Sequence, residues 1–248
     1  MKPRTRTIEI CANSPQSCLE AEQGGAKRVE LCAGIPEGGT TPSIGMIKTA
    51  QQLVSSLAIH VIIRPRGGDF LYTDVEIEEM LVDIKVCKEL GVQGVVFGCL
   101  TAGGEIDTEL NRKLIEASRP MSVTFHRAFD VCRHPRIALE TLVELKVDRV
   151  LTSGQQATAE KGIPLLKELV KQADNRIIIM PGCGIRPENI QRIAEETGAK
   201  EFHTSARRTK KSKMRYQNIK APMGSTSASS EFETVETYAK IVAACVQE

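Results

Sequence analysis

Two short repeats near the start of the chain carry groups that can do chemistry. Glu9-Ile-Cys-Ala12 and Glu30-Leu-Cys-Ala33 each set a carboxylate two residues ahead of a thiol. In a strand, residues two apart share a face, so turning Ile8 and Ile10 outward leaves Glu9 and Cys11 inward. Turning Val29 and Leu31 outward leaves Glu30 and Cys32 inward. Neighbouring strands run about 4.8 Å apart, so the two sulfurs meet if the register agrees. Paired thiolates suit soft Cu(I). Structural thiols are the competing reading, because cysteine often packs as a small hydrophobe and no Cys/His set with zinc-like spacing accompanies the pair.

The same parity turns His60, Ile62 and Arg64 to one side of a strand, Thr124 and His126 inward in another, and Glu201, His203 and Ser205 inward in a third. Burying Glu9, Glu30, Arg64 and Glu201 without partners costs roughly several kcal/mol per charge. They must pair with one another, as a purely structural network would, or bind a ligand, or both. His126, followed by Arg127 and Asp130, titrates near physiological pH and joins Glu9 and Glu30 as a candidate general acid or base. Arg64-Pro-Arg-Gly-Gly-Asp69 offers Arg64 and Arg66 for bidentate hold on a carboxylate or phosphate, with Asp69 closing the loop. The turn Pro181-Gly-Cys-Gly-Ile-Arg-Pro187 leads into a helix. Its Gly182 and Gly184, with Ser205 at the end of the last strand, make a candidate anion cradle, which Arg127 and His203 extend. Glycines that only make tight turns are the plainer reading of that segment.

These residues need strands to align them. Short β-branched runs at 7–11, 28–32, 58–64, 94–98, 122–126, 149–153, 176–180 and 200–205 alternate with helical patterns. The helices begin at the Ser14-Pro15 cap and continue at 43–54, 74–90, 107–117, 135–145, 159–172, 187–197 and 231–247. Eight strand and helix units imply parallel strands with right-handed crossovers closing into a TIM (β/α)8 barrel, a single domain over residues 1–248. An open doubly wound sheet is the alternative. In a barrel the candidate groups collect at the carboxyl ends of the strands, where barrel enzymes work. Two segments break the rhythm: a glycine-rich loop at 33–41, and a long polar stretch at about 207–230 that reads as a lid, an oligomer contact or a plain mobile loop.

The 248 residues match one barrel, and 41% hydrophobic residues suffice for a sizeable core. A formal net charge of +2 gives no electrostatic footprint for nucleic acid. No run approaches the roughly 18 apolar residues of a membrane span, and the start lacks the apolar core of a secretory signal. The expected location is the cytoplasm. The eight cysteines form no C-x-x-C pair and read as reduced thiols, with Cys18, Cys87 and Cys245 as small buried hydrophobes.

Nearly the whole chain resembles the CutC copper homeostasis family. The motifs that carry the resemblance are Glu30-Leu-Cys32, Glu37-Gly-Gly-Thr-Thr-Pro42, Ile63-Arg-Pro-Arg-Gly-Gly-Asp-Phe70, Val96-Phe-Gly98, Val123-Thr-Phe-His-Arg-Ala-Phe-Asp130, Arg149-Val-Leu-Thr-Ser-Gly154, and Glu201-Phe-His203 with Ser205-Ala-Arg207. The resemblance implies a TIM barrel in the cytoplasm, self-association as a dimer or tetramer, and copper handling through Cu(I), with Cys11 and Cys32 as nominated ligands. Cys183 stands where the family's turn is expected to have glycine. Beside copper handling stands a second expectation, an enzyme acting on a small phosphorylated or carboxylated metabolite. There Arg64 and Arg66 anchor the anion while Glu9, Glu30 or His126 moves protons. A barrel serving as an assembly scaffold is the third.

Overall fold

The computed structural model of the chain describes residues 6–216, 218 and 232–247. Eight strand and helix units run in order: β1 (Thr7–Ala12), α1 (Pro15–Gln23), β2 (Arg28–Leu31), α2 (Ile44–Leu53), β3 (Ala58–Ile62), α3 (Asp74–Glu89), β4 (Gly94–Phe97), α4 (Thr108–Ser118), β5 (Ser122–Phe125), α5 (Pro135–Glu144), β6 (Arg149–Thr152), α6 (Ile163–Ala173), β7 (Ile178–Pro181), α7 (Pro187–Thr197) and β8 (Glu201–Thr204). A ribbon, β9 (Arg207–Lys211) and β10 (Glu233–Thr237), then leads to α8 (Ala239–Gln247). The eight strands form one parallel sheet in the order β7-β6-β5-β4-β3-β2-β1-β8. Strands β7 and β8 lie side by side and nearly close the barrel.

Alternation along each strand sorts the side chains. Ile8, Ile10, Val29, Leu31, Ile59, Val61, Val123, Phe125 and Phe202 are buried in the main core, the layer between strands and helices. Helix starts follow local chemistry. The Ser14 side chain accepts from the Ser17 N–H with Pro15 in the first turn, and Thr73 and Glu76 close a reciprocal capping box on α3. No helix among the described residues is long and apolar enough to cross a membrane.

The register decides what meets inside. Glu9 pairs with Arg28 and Cys11 with Glu30 across β1 and β2, so the two repeats are staggered by two residues instead of lying level. On the other side of β1, Glu9 pairs with His203. Such a stagger is the shear that closing a barrel requires.

Two expectations change. The helix expected at 231–247 is a strand followed by a shorter helix. The β-branched Thr234, Val235 and Thr237 pair antiparallel with β9, and Glu236 bridges to Lys210 and Arg208. The polar stretch from 207 therefore opens as a strand, while residues 217 and 219–230 of it lie outside the described residues. The glycine-rich segment at 33–41 is a fixed turn, with a 3-10 helix at Ile35–Glu37 closed by mutual hydrogen bonds between Ala33 and Thr40.

Candidate functional site

The inward polar side chains form two layers. In the lower one, Arg28 bridges Glu9 and Glu201, and Arg149 reaches Glu201 at 3.0 Å. Arg149 also donates to Ser122 Oγ at 3.1 Å and Thr124 Oγ1 at 3.2 Å. Beside them His60 fits against Gly94, where any Cβ would lie 2.5 Å from the ring. Burial, reinforced by the charges of Arg149 and Arg28, pushes the His60 pKa down to about 4, so it is neutral at physiological pH.

His203 links this layer to the one above. Its Nδ1 lies 2.9 Å from Glu9 Oε1 and its Nε2 3.5 Å from Glu30 Oε2. Burial opposes its charge, but the hydrogen bonds to Cys11 and Glu9 and the two carboxylates outweigh it and hold the imidazole pKa well above the usual value. Both ring nitrogens then carry protons. Burial would also raise Glu9, yet the His203 bond and the charge of Arg28 keep its carboxyl well below the usual range.

Above them the sulfurs of Cys11 and Cys32 lie 3.6 Å apart. Arg207 of β9 donates to Cys11 Sγ at 3.2 Å, and Cys32 Sγ lies 3.6 Å from Glu30 Oε2. One apolar wall is Ile62 and Val96. The pair is electrostatically unequal. The bond from Cys32, with help from His203 and Arg207 against burial, holds Cys11 well below the ordinary thiol range. The same bond, burial and the charges of Cys11 and Glu30 push Cys32 well above it. Burial lifts the Glu30 carboxyl to about 8, with Cys11 and Glu9 adding to it against His203. The arrangement favours ionisation of Cys11 over Cys32, with an acidic neighbour and two cationic ones.

A cavity of about 1070 Å³ opens above the thiols, at the carboxyl ends of the strands. It brings together Cys11, Glu30, Arg64, His126, Arg127, Cys183, Gly184, His203 and Ser205. Glu9 lies beneath it, fully buried. Arg64 donates to the carbonyls of Glu37, Gly39 and Gly68, so most of its fork is committed to the loops. Arg66 and Asp69 do not join the site: they pair with each other at 3.1 Å, and Arg66 also pairs with Glu76 of α3. Gly182 is a packing glycine, because a Cβ there would sit 2.4 Å from Leu151 Cδ1. Cys183, at φ 74, donates its thiol to the Ala157 carbonyl at 3.2 Å. Asp130 is saturated by Arg127, Thr152, Ser153 and Gln155.

His126 is held in one tautomer. The Ala128 N–H donates to His126 Nδ1 at 3.3 Å, which fixes the proton on Nε2. Burial and the charge of Arg64 push its pKa down to about 3. Near neutrality it offers a fixed Nε2–H donor, while its Nδ1 lone pair is taken by the Ala128 N–H.

Arg28, Arg149 and Arg207 escaped the sequence reading. Arg28 has the same parity as Glu30 and Cys32, a signal that would have found it. Arg207 depends on the β9–β10 ribbon.

The CutC family model matches residues 6–208. A protein of Parabacteroides distasonis described as a family protein CutC is 70% identical over 232 residues, 94% of this chain and 96% of that one. The human copper homeostasis protein cutC homolog is 51% identical over 225 residues, 91% of this chain and 82% of its own. The crystal structure of a putative copper homeostasis protein CutC from Streptococcus agalactiae superposes with a TM-score of 0.78 at 38% identity, covering 81% of this chain and 98% of that one. An aldolase superposes at 0.64 with 14% identity, covering 83% of this chain and 92% of its own, a likeness of fold alone.

Proposed function

Because the chain belongs to the CutC family, we propose that it takes part in copper handling by holding Cu(I) between the thiols of Cys11 and Cys32. One observation carries this reading: Cys11 Sγ, Cys32 Sγ and a Glu30 carboxylate oxygen lie within 4.8 Å of one another. Soft sulfur donors select Cu(I), whereas the hard oxygen of Glu30 suits it poorly, so the sulfurs are the ligands and Glu30 is their neighbour. His203 and Arg207 favour ionisation of Cys11, and both thiols must be deprotonated to bind, as metal ligands are. Two thiolates with one Cu(I) carry a single negative charge, which His203 and Arg207 neutralise from either side.

Thiols in this state belong in a reducing compartment, and we assign the copper handling to the cytoplasm. Val75 and Val82 on α3 and Ile137 on α5 are large apolar residues exposed on the helical shell, and we expect the barrel to self-associate through that shell.

The test is an anaerobic Cu(I) titration against a competing chelator, on the wild type and on the Cys11→Ser, Cys32→Ser double variant. One tightly held equivalent, lost in the variant, is expected. Equal stoichiometry in the two proteins would overturn the assignment of the ligands.

A further inference from the structure

The barrel mouth holds more than a copper clip needs. We propose that it carries a second binding site, for a small organic anion, in which His126 Nε2–H donates to an acceptor oxygen while the cationic rim holds the carboxylate or phosphate.

Three observations carry the proposal. His126 is 4% exposed, and its Nε2 is buried with no hydrogen-bond partner among the described residues. Because Nδ1 takes the Ala128 N–H, Nε2 must be the protonated nitrogen, a buried donor with no acceptor among the described residues, on a residue that lines the cavity. An unsatisfied buried donor costs about 1–3 kcal/mol, and folded proteins seldom carry one without a use. Second, the ring is held in place: its centroid lies 4.8 Å from that of Phe70 and 6.1 Å from that of Phe125, so the donor's direction is set before any ligand arrives. Third, the cavity is strongly biased in charge. Arg64, Arg127, Arg186, His203, Arg207 and Lys240 line it, against Glu30 and Glu188; Arg127 is already paired with Asp130 and Arg207 with the Cys11 sulfur. A concave, low-dielectric surface of one sign concentrates ions of the other. The thiol pair uses only Arg207 of that rim, whereas an anion with an acceptor oxygen uses the remaining cations together with the His126 donor. The neutral state of His126 keeps the donor in place across the physiological pH range.

The probes are malonate for a carboxylate, inorganic phosphate for a phosphoryl group, and glycerol as an uncharged control. Imidazole-detected ¹H–¹⁵N NMR reads the His126 ring directly, and calorimetry reads the affinity. The expected result is a saturable shift of the His126 Nε2 signal with malonate or phosphate and none with glycerol. The stronger of the two anions names the ligand class. His126→Phe, which keeps the aromatic packing, should weaken binding at least tenfold, and Arg127→Ala several-fold. The Cys11→Ser, Cys32→Ser variant should bind the anion as the wild type does, which separates this site from the copper reading. Either of two results would overturn the proposal: a His126 signal indifferent to both anions, or full affinity in His126→Phe. The ring signal of the wild type decides even if that variant fails to fold.

Discussion

The lower and upper layers of the barrel interior are both polar, yet they are built on opposite rules. Below, Glu9 and Glu201 are each met by arginines, and Arg149 spends its remaining donors on Ser122 and Thr124. Every charge there has a partner of opposite sign. Above, the partners run out: two thiols share one contact, Glu30 is pushed up to about 8, and His126 Nε2 has no partner among the described residues. A network whose charges are all paired is a structural device, even with the Nδ1 of neutral His60 left without a partner among the described residues, whereas an unsaturated one is where a ligand can change the energy most.

The largest effect should come from breaking the saturated layer. Arg28→Met keeps most of the volume but leaves Glu9 and Glu201 short of their shared cation. Removing one member of a buried ion pair costs about 3–5 kcal/mol, so urea unfolding should show a loss of that size. A loss below about 1 kcal/mol would mean that the two layers do not differ as described.

The unsaturated layer should answer in binding and not in stability. The Cys11→Ser, Cys32→Ser variant is expected to lose at least a hundredfold in Cu(I) affinity, about 2.7 kcal/mol, while its unfolding free energy stays within about 1.5 kcal/mol of wild type. If stability collapses instead, the thiols belong to the structural layer.

Much of this contrast was legible in the sequence. Strand parity alone turns Glu9, Cys11, Glu30, Cys32 and His203 inward, and strict alternation of strands and helices implies the barrel. The parts that were not legible depend on distant pieces of chain. The stagger that sets Cys11 beside Glu30 comes from closure of the ring, which no local pattern encodes. The pairing of β9 with β10 joins Lys211 to Glu233, across residues whose local preference at 231–247 reads as helical. The fixed proton of His126 depends on one backbone N–H, at Ala128.

Acid should separate the layers in a third way. The folded-state pKa of His60, about 4, is below the unfolded value near 6.5, so the unfolded chain binds more protons between these limits. Stability from this group is therefore complete above about pH 6.5 and is lost as pH falls. Between pH 7.5 and 5 the loss is about 2 kcal/mol. Urea midpoints at the two pH values should show that this part of the wild-type acid loss is missing in His60→Gln. A variant as acid-sensitive as wild type would mean that His60 is not held neutral.

The smallest effect is expected at Arg66, and it sharpens the comparison because sequence alone pairs this residue with Arg64. Arg64 is 5% exposed and its guanidinium is bonded to three loop carbonyls. The Arg66 side chain is 38% exposed and is tied to Asp69 and to Glu76, which caps α3. Exposed pairs contribute about 0.2–1 kcal/mol, so Arg66→Ala should cost no more than that and should leave Cu(I) and anion affinities unchanged. Any drop in affinity would draw Arg66 into the mouth when a ligand binds, and the boundary between the saturated and unsaturated regions would have to move outward to include it.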